Sequence, residues 1–402
     1  MVKDTMQTLT QQPFEDYRAS LLTRVKRLVV KVGSGVLTGP QGLNLSVIND
    51  LSTCIFEIKQ KGIQVILVSS GAIASGLKKL RFTCKPKTVS EKQALAAVGQ
   101  ASLIMAYERA FGRFGQKVAQ VLLTRDDLTN RRRYLNARNT LITLLSLDIV
   151  PIINENDTVV VDEIKFGDND NLSALVTNMM DADLLVNLTD IDGLFDKDPR
   201  TNPDAELVGV VGKVDQRIRN FASVIPGFLG TGGMNSKIKA AQKLSLAGIP
   251  TIIANGLRKG ILKEIFDGKE VGTLFLPRAN GLCKRKHWIA FTKSPKGEII
   301  VDQGAERAIV SNGKSLLPSG IIEVRGKFGV GDSVVITSEY GKNIAIGLVN
   351  YQASDIQRIK GMRTNQIEAT LGFKYHDEVI HRDNLVLVRE TEEGIEECHF
   401  SN

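Results

Sequence analysis

The sequence predicts an α/β protein: a three-layer, mainly parallel sheet sandwiched by helices, followed by a small, β-rich, barrel-like domain. Two observations support this fold class. Up to residue 277, short apolar segments alternate with segments of helical periodicity, and apolar strands separated by helices are typical of parallel sheets covered on both faces. Beyond residue 277, short strand-like segments are interrupted by glycine, as in a small barrel. The length of 402 residues also suggests two or three domains.

The strands of the first domain are predicted at short runs rich in valine, isoleucine and leucine. In chain order these runs are RLVVKV (27–32), QVILVSS (64–70), KVAQVLL (117–123), IVPIINE (149–155), DLLVNLTD (183–190) and PTIIANG (250–256). Helices are predicted between them, where apolar residues recur every three or four positions. The clearest are 45–62, 90–115 with Ser90 as its predicted N-cap, 136–148 and 234–248.

The first domain is predicted to span residues 26–278 and the second residues 288–380. A polar leader, residues 1–25, is expected to be disordered, the alternative being an added oligomer contact, and an acidic tail, residues 383–402, is expected to be mobile. No run reaches the roughly 20 apolar residues of a membrane helix, and the leader lacks the apolar core of a signal peptide. A cytoplasmic protein is therefore expected.

The distribution of histidine limits the chemistry of the first domain. All four histidines lie beyond residue 286, so neither a histidine base nor a histidine-ligated zinc ion is expected there. The four cysteines are far apart and form no C-x-x-C pair. This spacing favours reduced thiols over a metal site or a disulfide framework.

Candidate site residues follow the predicted strands, and ligands of parallel α/β sheets bind outside the carboxyl ends of the strands. These residues are Lys31 and Gly33 after the first strand, Ser70 and Gly71 after the second, Asn154 to Asp157 after the fourth, and Thr189 and Asp190 after the fifth. A later segment, GTGGMNSK, leads into a helix through Lys237. We therefore expect one composite site at this edge of the sheet.

Small residues at two of these turns, together with two lysines, indicate phosphate binding. Glycine lets backbone N–H groups approach an anion, and Lys31 and Lys237 can balance its charge. The turns match neither G-x-x-x-x-G-K-[ST] nor G-x-G-x-x-G, which argues against a P-loop ATPase and a nicotinamide dehydrogenase. The set fits phosphoryl transfer. A carboxylate acceptor, already ionised at pH 7, would need no histidine base.

A dense group of acids and amides at residues 154–171 admits three interpretations. Asp168, Asn169 and Asp170 stand where the N-cap of a helix is expected, hard oxygen ligands would suit Mg²⁺ or Ca²⁺, and buried acids would pair with a substrate ammonium group. Capping explains one residue only, and the D-x-D-x-D-G spacing of a calcium loop is absent. Ammonium binding by Asp157 is therefore favoured.

A series of segments, in order, resembles the amino acid kinase family, and within it the members that phosphorylate free glutamate. They include VVKVGS, VSSGAIASG, PIINENDTV, GDNDNLSALV and GTGGMNSKIKAA, and the likeness covers roughly residues 25–277. The later segment GEIIVDQGAERAIVSNGKSLLPSGI is similar to a PUA domain. Relatives that act on acetylglutamate, aspartate, UMP or carbamate share the fold but not this combination.

The resemblance implies phosphorylation of the γ-carboxylate of L-glutamate by ATP, with Mg²⁺, to γ-glutamyl phosphate, the first step of proline biosynthesis. It also implies feedback inhibition by L-proline and a homo-oligomer, either a dimer or a tetramer. In this resemblance Lys31 and Lys237 screen the transferring phosphoryl group, and Asp170 orients the two lysines.

The resemblance also implies the residues that bind the two substrates. Glutamate would be held by Ser70, Asp157 and Asn169, with Asn154 and Asp168 nearby. ATP would be bound by Lys31, Gly33, Gly71, Thr189, Asp190, Thr231, Gly232, Gly233, Met234, Asn235, Ser236 and Lys237. Which acid approaches Mg²⁺ is left open.

Two alternative functions remain at this point. An enzyme of the same fold could use a different carboxylate acceptor, because details of the pocket decide the acceptor. The PUA-like segment, together with the basic stretch 277–297, could instead bind RNA. Aromatic residues are sparse in that domain, so RNA binding is kept as an accessory role at most.

Overall fold

The computed structural model describes residues 12–39, 42–82, 86–159, 168–224, 233–278, 295–374, 376–391 and 394–397. The chain divides into two compact units, Met1–Gly281 and Leu282–Asn402. Most of the basic stretch 277–297 lies outside the described residues. None of the described helices is both long and apolar enough to cross a membrane.

The first unit is built on an eight-stranded sheet with the strand order β5-β6-β4-β1-β7-β9-β10-β8. The strands of this unit are β1 (Arg27–Val32), β2 (Thr38–Gly39), β3 (Gly42–Leu43), β4 (Gln64–Ser69), β5 (Val118–Leu123), β6 (Val150–Glu155), β7 (Leu184–Thr189), β8 (Val210–Val211), β9 (Thr251–Asn255) and β10 (Thr273–Phe275). Neighbours in the large sheet are parallel except β9 and β10. The predicted, mainly parallel sheet is confirmed.

Helices cover both faces of this sheet. They are α1 (Gln12–Thr23), α2 (Ser34–Leu37), α3 (Leu45–Gln60), α4 (Ala72–Lys79), α5 (Val89–Gly112), α6 (Arg125–Thr129), α7 (Arg131–Ser146), α8 (Asp168–Met179), α9 (Gln216–Val224), α10 (Met234–Leu246) and α11 (Ile261–Phe266). Alternate residues of β1 enter different cores: Leu28 and Val30 pack with α3 and α5, whereas Val29 packs with α7, α8 and α10. Because side chains alternate along a strand, Lys31 faces the side of α8 and α10.

The carboxyl ends of β1, β4, β6 and β7 lie at one edge, because these four strands are parallel neighbours in the sheet. Helix α8 begins at this edge with Asp168, and helix α10 begins there with Met234. The edge therefore gathers residues that are distant in sequence.

Two predictions about the first unit were wrong. Helix α5 is capped by Thr88 and not by Ser90, because Thr88 and Glu91 form a reciprocal capping box that satisfies the first free N–H groups. The leader was expected to be disordered, but residues 12–23 form α1, and Leu22 and Val25 join the core of the first unit. Arg18 is also buried and donates to the backbone oxygen of Val271 at 2.5 Å.

The second unit is β-rich, as predicted. Its strands and helices are β11 (Gly297–Val301), α12 (Gln303–Val310), β12 (Ile321–Gly326), β13 (Ser333–Ser338), β14 (Asn343–Leu348), α13 (Ala353–Ile359), α14 (Ile367–Leu371), β15 (Leu385–Leu387), β16 (Arg389–Thr391) and β17 (Gly394–Glu397). Five strands form a sheet in the order β12-β11-β13-β14-β15.

The end of this second unit differs from the prediction. Strand β15 lies beyond residue 380, where the domain was expected to end, because buried Leu385 and Val386 pair with β14. Strands β16 and β17 then pair within the segment that was expected to be a mobile acidic tail. The prediction from acidic composition therefore missed three short strands.

Candidate active site

A buried carboxylate at the strand edge holds two lysines. Asp170, in the first turn of α8, is fully buried. Its Oδ1 lies 2.5 Å from Lys31 Nζ, on β1, and its Oδ2 lies 3.2 Å from Lys237 Nζ, on α10. Both lysines are at least nine-tenths buried. The structure thus brings together three residues that the sequence places far apart.

Two further donors complete the environment of Asp170. Ser236 Oγ donates to Asp170 Oδ2 at 2.5 Å, and Asn187 Nδ2 donates to Asp170 Oδ1 at 3.1 Å. Asn187 lies on β7 directly beside Lys31 in the register of the sheet. Burial by itself would raise the pKa of Asp170, but the two lysines and the hydrogen bonds from Lys31 and Ser236 hold it well below its usual range. Asp170 is therefore ionised at neutral pH.

The cluster formed by Lys31, Asp170 and Lys237 has more positive than negative buried charge. Burial, together with the nearby charge of Lys237, lowers the pKa of Lys31 to about 8 against the attraction of Asp170. One carboxylate between two ammonium groups gives these three side chains a net charge of +1. Buried charges need partners of opposite sign. The cluster is therefore suited to an anion that approaches both lysines.

A chain of amide side chains lies next to this cluster. Asn154 Nδ2, at the end of β6, donates to Gln100 Oε1 on α5 at 2.8 Å. Asn169 Nδ2, on α8, donates to Asn154 Oδ1 at 3.0 Å and to Ser70 Oγ at 2.8 Å. Three residues that were predicted to hold substrate are thus joined by direct hydrogen bonds.

Asp157 follows β6 and is half-buried. Burial raises the pKa of Asp157 to about 6, so the carboxylate is ionised at neutral pH but poorly compensated. A cationic ligand would relieve this cost. For Asp168, the structure describes the backbone at the start of α8 but not the side chain.

The two predicted glycine turns differ in what they offer a ligand. Gly71 adopts a left-handed conformation with φ +103°, immediately before α4, a conformation that favours glycine. The amide of Gly33 instead donates to the carbonyl oxygen of Leu188 at 3.0 Å and so continues the hydrogen bonding of the sheet. Direct donation from Gly33 to a phosphate would require this bond to break.

The turns after β1 and β7 meet at the same edge. Thr189 Oγ1 donates to Asp190 Oδ1 at 3.0 Å, and Asp190 is exposed. A methyl group added to Gly35 would lie 3.4 Å from Asp190 Oδ2. The predicted nucleotide residues Lys31, Thr189 and Asp190 therefore occupy neighbouring positions.

The GTGGMNSK segment is described only from Gly233 onward, so Thr231 and Gly232 lie outside the described residues. Gly233 precedes α10, and Asn235 is exposed. The Met234 side chain is buried in an apolar core, and its assignment to the ATP site stays a prediction. Ser236, predicted to bind ATP, contacts Asp170.

Sequence reasoning missed Gln100 and Asn187. Asn187 carried a signal, because it is a polar residue in the middle of the apolar run DLLVNLTD, where an amide needs a specific partner. Gln100 carried little signal, since a glutamine on a long helix is ordinarily exposed. Its partner Asn154 is 54 positions away in sequence.

Comparisons with known proteins cover both units. Residues 26–255 match the model of the Amino acid kinase family, and residues 297–371 match that of the PUA domain. The chain is 54% identical over 372 residues to a glutamate 5-kinase of Geobacter sulfurreducens and 55% identical over 372 residues to one of Geobacter metallireducens. Each alignment covers 92% of this chain and 100% of the relative. A third glutamate 5-kinase, of Syntrophotalea carbinolica, is 50% identical over 370 residues, or 92% of this chain and 99% of the relative.

Proposed function

The chain belongs to the amino acid kinase family, and we propose that it catalyses the phosphorylation of the γ-carboxylate of L-glutamate by ATP. The product is γ-glutamyl phosphate, and the reaction is the first step of proline biosynthesis. The observation that carries this function is the buried Lys31–Asp170–Lys237 cluster beside a site of amides and acids. Identity above 50% to glutamate 5-kinases over their whole length supports L-glutamate as the acceptor.

Phosphoryl transfer requires two anions to approach each other. A carboxylate oxygen of glutamate forms a bond to the γ-phosphorus while the bond to the β,γ-bridging oxygen breaks, and its electron pair leaves with ADP. The glutamate carboxylate is ionised at pH 7 and needs no base. Lys31 and Lys237 stabilise the negative charge shared by the entering, transferring and leaving oxygens. Asp170 holds both ammonium groups in place before the reaction.

The acid and amide residues bind glutamate in this proposal. Asp157 accepts hydrogen bonds from the α-ammonium group, and Ser70 and Asn169 contact the substrate, with Asn154 and Asp168 supporting them. Burial raises the pKa of Asp157, and an ammonium group beside it would stabilise the ionised carboxylate. This favours the role. The interpretation of these residues as helix caps accounts for none of the hydrogen bonds from Asn169 to Ser70 and Asn154.

ATP is proposed to bind where the turns after β1, β4 and β7 meet the start of α10. Lys31, Gly71, Thr189 and Asp190 lie at this edge with residues 233–237, and Thr231 and Gly232 are assigned to the ATP site by the resemblance alone. Backbone N–H groups at glycine turns and helix starts favour phosphate. Gly33 is still proposed to belong to the ATP site, as part of the turn that precedes Ser34 and Gly35.

Mg²⁺ is expected to arrive with ATP. Within the described ranges, no three Asp, Glu, His or Cys side chains are grouped as metal ligands. In nucleotide sites Mg²⁺ is bound largely by phosphate oxygens and retains several waters. Such a metal ion needs no dedicated cluster of protein carboxylates. When bound, it would neutralise part of the phosphate charge.

The remaining properties are proposed from the family. We expect a homo-oligomer, a dimer or a tetramer, inhibition by L-proline, and a cytoplasmic enzyme, as suits a kinase that uses ATP and free glutamate. RNA binding by the second unit is the weaker hypothesis, because the substrate site described above accounts for the chemistry. The domain bounds 26–278 and 288–380 are likewise retained as a proposal, with β15 added to the second domain.

The function is tested by trapping the product. Protein, Mg-ATP and L-glutamate are incubated with hydroxylamine, which converts an acyl phosphate to a hydroxamate. We expect hydroxamate formation that depends on both glutamate and ATP. Hydroxamate with aspartate or N-acetylglutamate in place of glutamate would identify another acceptor, and no ADP release with any amino acid would contradict the enzyme class.

A further inference from the structure

The amide chain of the active site begins on a helix that carries none of the residues assigned above to substrate. Gln100 lies on α5, and 9% of its surface is exposed. Its Oε1 accepts a hydrogen bond from Asn154 Nδ2, and Asn154 Oδ1 in turn accepts one from Asn169 Nδ2. A change at Gln100 is thus transmitted to Asn169 through one intervening side chain.

The direction of the hydrogen bonds in this chain is fixed by the backbone. The N–H of Glu155 can only donate, and it donates to Asn154 Oδ1 at 2.9 Å. Asn154 Nδ2 therefore faces Gln100 Oε1, and Asn169 must turn its Nδ2 toward Asn154 Oδ1. The hydroxyl of Ser70 can donate or accept, so it does not oppose this arrangement.

The last acceptor of the chain is left without a donor. Asn169 Oδ1 is buried and receives no hydrogen bond from the part of the chain that the structure describes. An acceptor in this state is unfavourable unless a ligand supplies a donor. An ammonium group offers three N–H donors and no acceptor, so it can serve both Asn169 Oδ1 and Asp157.

Close packing of two helices fixes the position of Gln100. A methyl group added to Gly99 would lie 1.8 Å from the carbonyl oxygen of Ala72, and one added to Gly76 would lie 1.9 Å from that of Leu95. Helices α4 and α5 therefore meet backbone to backbone. Since α4 begins directly after Ser70 and Gly71, this contact fixes Gln100 relative to the same substrate turn.

We propose that Gln100 is a positioning residue that determines selectivity for the α-amino group of the substrate. It anchors Asn154, which holds Asn169 so that Oδ1 is presented to the α-ammonium group. Gln100 does not itself touch the substrate. This inference rests on the proposed function, because it assigns a role in the binding of L-glutamate.

The test compares two substitutions at Gln100 with a control on the same helix. Gln100→Met keeps the size of the side chain and removes the acceptor, whereas Gln100→Glu keeps an oxygen that can accept from Asn154. Leu103→Met changes the packing of α5 without touching the amide chain. The KM values for L-glutamate and ATP, kcat, and the inhibition constant of glutarate are measured for each. Glutarate is glutamate without its α-amino group.

We expect Gln100→Met to raise the KM for L-glutamate about tenfold, the usual effect of losing one hydrogen bond to a charged group. The KM for ATP, kcat and the inhibition constant of glutarate should remain within about twofold, since none depends on the ammonium group. Gln100→Glu should restore the KM for glutamate to within about threefold of the original value. Leu103→Met should change none of these constants.

Two results would overturn the proposal. An unchanged KM for glutamate in Gln100→Met would show that the chain does not need its anchor. A parallel rise in the glutamate KM and the glutarate inhibition constant, without rescue by Gln100→Glu, would show only general damage to the site. Failure of the proposed function is distinguishable, because the unsubstituted protein would then form no glutamate-dependent hydroxamate.

Discussion

Lys237 occupies a position that an isolated helix disfavours. It lies in the first turn of α10, where the partial positive charge of the helix repels a cation. Asp170 compensates this cost, and a phosphoryl group between the lysine and the helix would compensate it further. The sequence alone revealed the unfavourable placement, and the family resemblance predicted Asp170 as the partner that the structure places 3.2 Å from Lys237 Nζ.

Lys237→Ala should lower kcat about 100-fold to 1,000-fold, as does loss of one preorganised group that stabilises transition-state charge. The KM for glutamate should change little, because the lysine acts mainly in the transition state. Steady-state kinetics with saturating Mg-ATP measures both constants. The opposite pattern, a raised KM with kcat retained, would make Lys237 a simple binding residue.

Asp157 carries a prediction about pH. Its pKa of about 6 means that the carboxylate is protonated as the pH falls through 6, so the KM for glutamate should rise below that pH. The carboxylates of free glutamate titrate lower, near ~4.3 for the γ-carboxyl group, and its ammonium group higher. Asp157→Asn should raise the KM at pH 7.5 by about 10-fold to 100-fold, through loss of a charge-assisted hydrogen bond.

The raised pKa of Asp157 also predicts the direction in which Asp157→Asn changes the stability of the folded protein. The folded-state pKa of Asp157 is raised above its unfolded value, so its contribution to stability is present at low pH and is lost as the pH rises through about 6. Asp157→Asn should therefore not destabilise the substrate-free protein at pH 7.5, as thermal unfolding can measure. The assignment of Asp157 to the substrate site would be contradicted by an Asp157→Asn variant whose KM for glutamate is unchanged. It would also be contradicted by a variant whose KM still rises as the pH falls through 6.

Helix α5 shows how an element can fix a site from outside. Its contact with α4 leaves no space for a side chain at Gly99 or Gly76. We expect Gly99→Ala to destabilise the fold by about 1–3 kcal/mol, the usual cost of overpacking, and to raise the KM for glutamate by displacing Gln100.

Gly112→Ala on the same helix is a matched control, since a methyl group there meets no described atom within 4 Å. It should leave stability and KM nearly unchanged. Thermal unfolding and glutamate kinetics on both variants measure the effect. Equal stability of Gly99→Ala and Gly112→Ala would contradict the close contact of the two helices.

The sequence predicted the elements of the first unit well where periodicity is strong. Each of the six predicted strands agrees with the structure to within one residue at either end. Five of them are buried on both faces and read as continuous apolar runs, whereas β5, at the edge of the sheet, is partly exposed but still reads as an apolar run. Prediction failed at α1, β15, β16 and β17, which lie in segments that were interpreted from their polar or acidic composition. Of these strands, β15 is apolar and pairs with the distant strand β14, whereas β16 and β17 pair with each other. The cap of α5 was missed because Thr88 and Ser90 are both good N-caps, and only the pairing with Glu91 decides between them.

The charged residues of the candidate site were predictable from the sequence, but the hydrogen bonds that join its amide side chains were not. Lys31, Asp170 and Lys237 were identified as a set, and the structure brings them together; their catalytic roles stay predictions. The amide chain from Gln100 could not be found from one sequence, because it joins residues from a helix, a strand end and a helix start. Periodicity reports which face of an element is buried, but it does not report which buried polar groups meet.

The whole molecule combines a kinase unit of mainly parallel sheet with a separate β-rich unit. The chain has a net charge of +8, which suits anionic substrates such as ATP and glutamate in general terms. The local arrangement is more specific. In the proposed active site, the two lysines would bind phosphate, while the acids and amides would bind the ammonium group of the amino acid.

The central claim is that a carboxylate oxygen of glutamate attacks the γ-phosphorus of ATP. It is tested most directly with L-glutamate labelled with ¹⁸O in both γ-carboxylate oxygens, incubated with protein, Mg-ATP and hydroxylamine. Hydroxylamine releases phosphate by attack at the acyl carbon, so the inorganic phosphate should carry one ¹⁸O atom and the hydroxamate the other. Phosphate without ¹⁸O, formed together with ADP, would show transfer to water and would contradict the account.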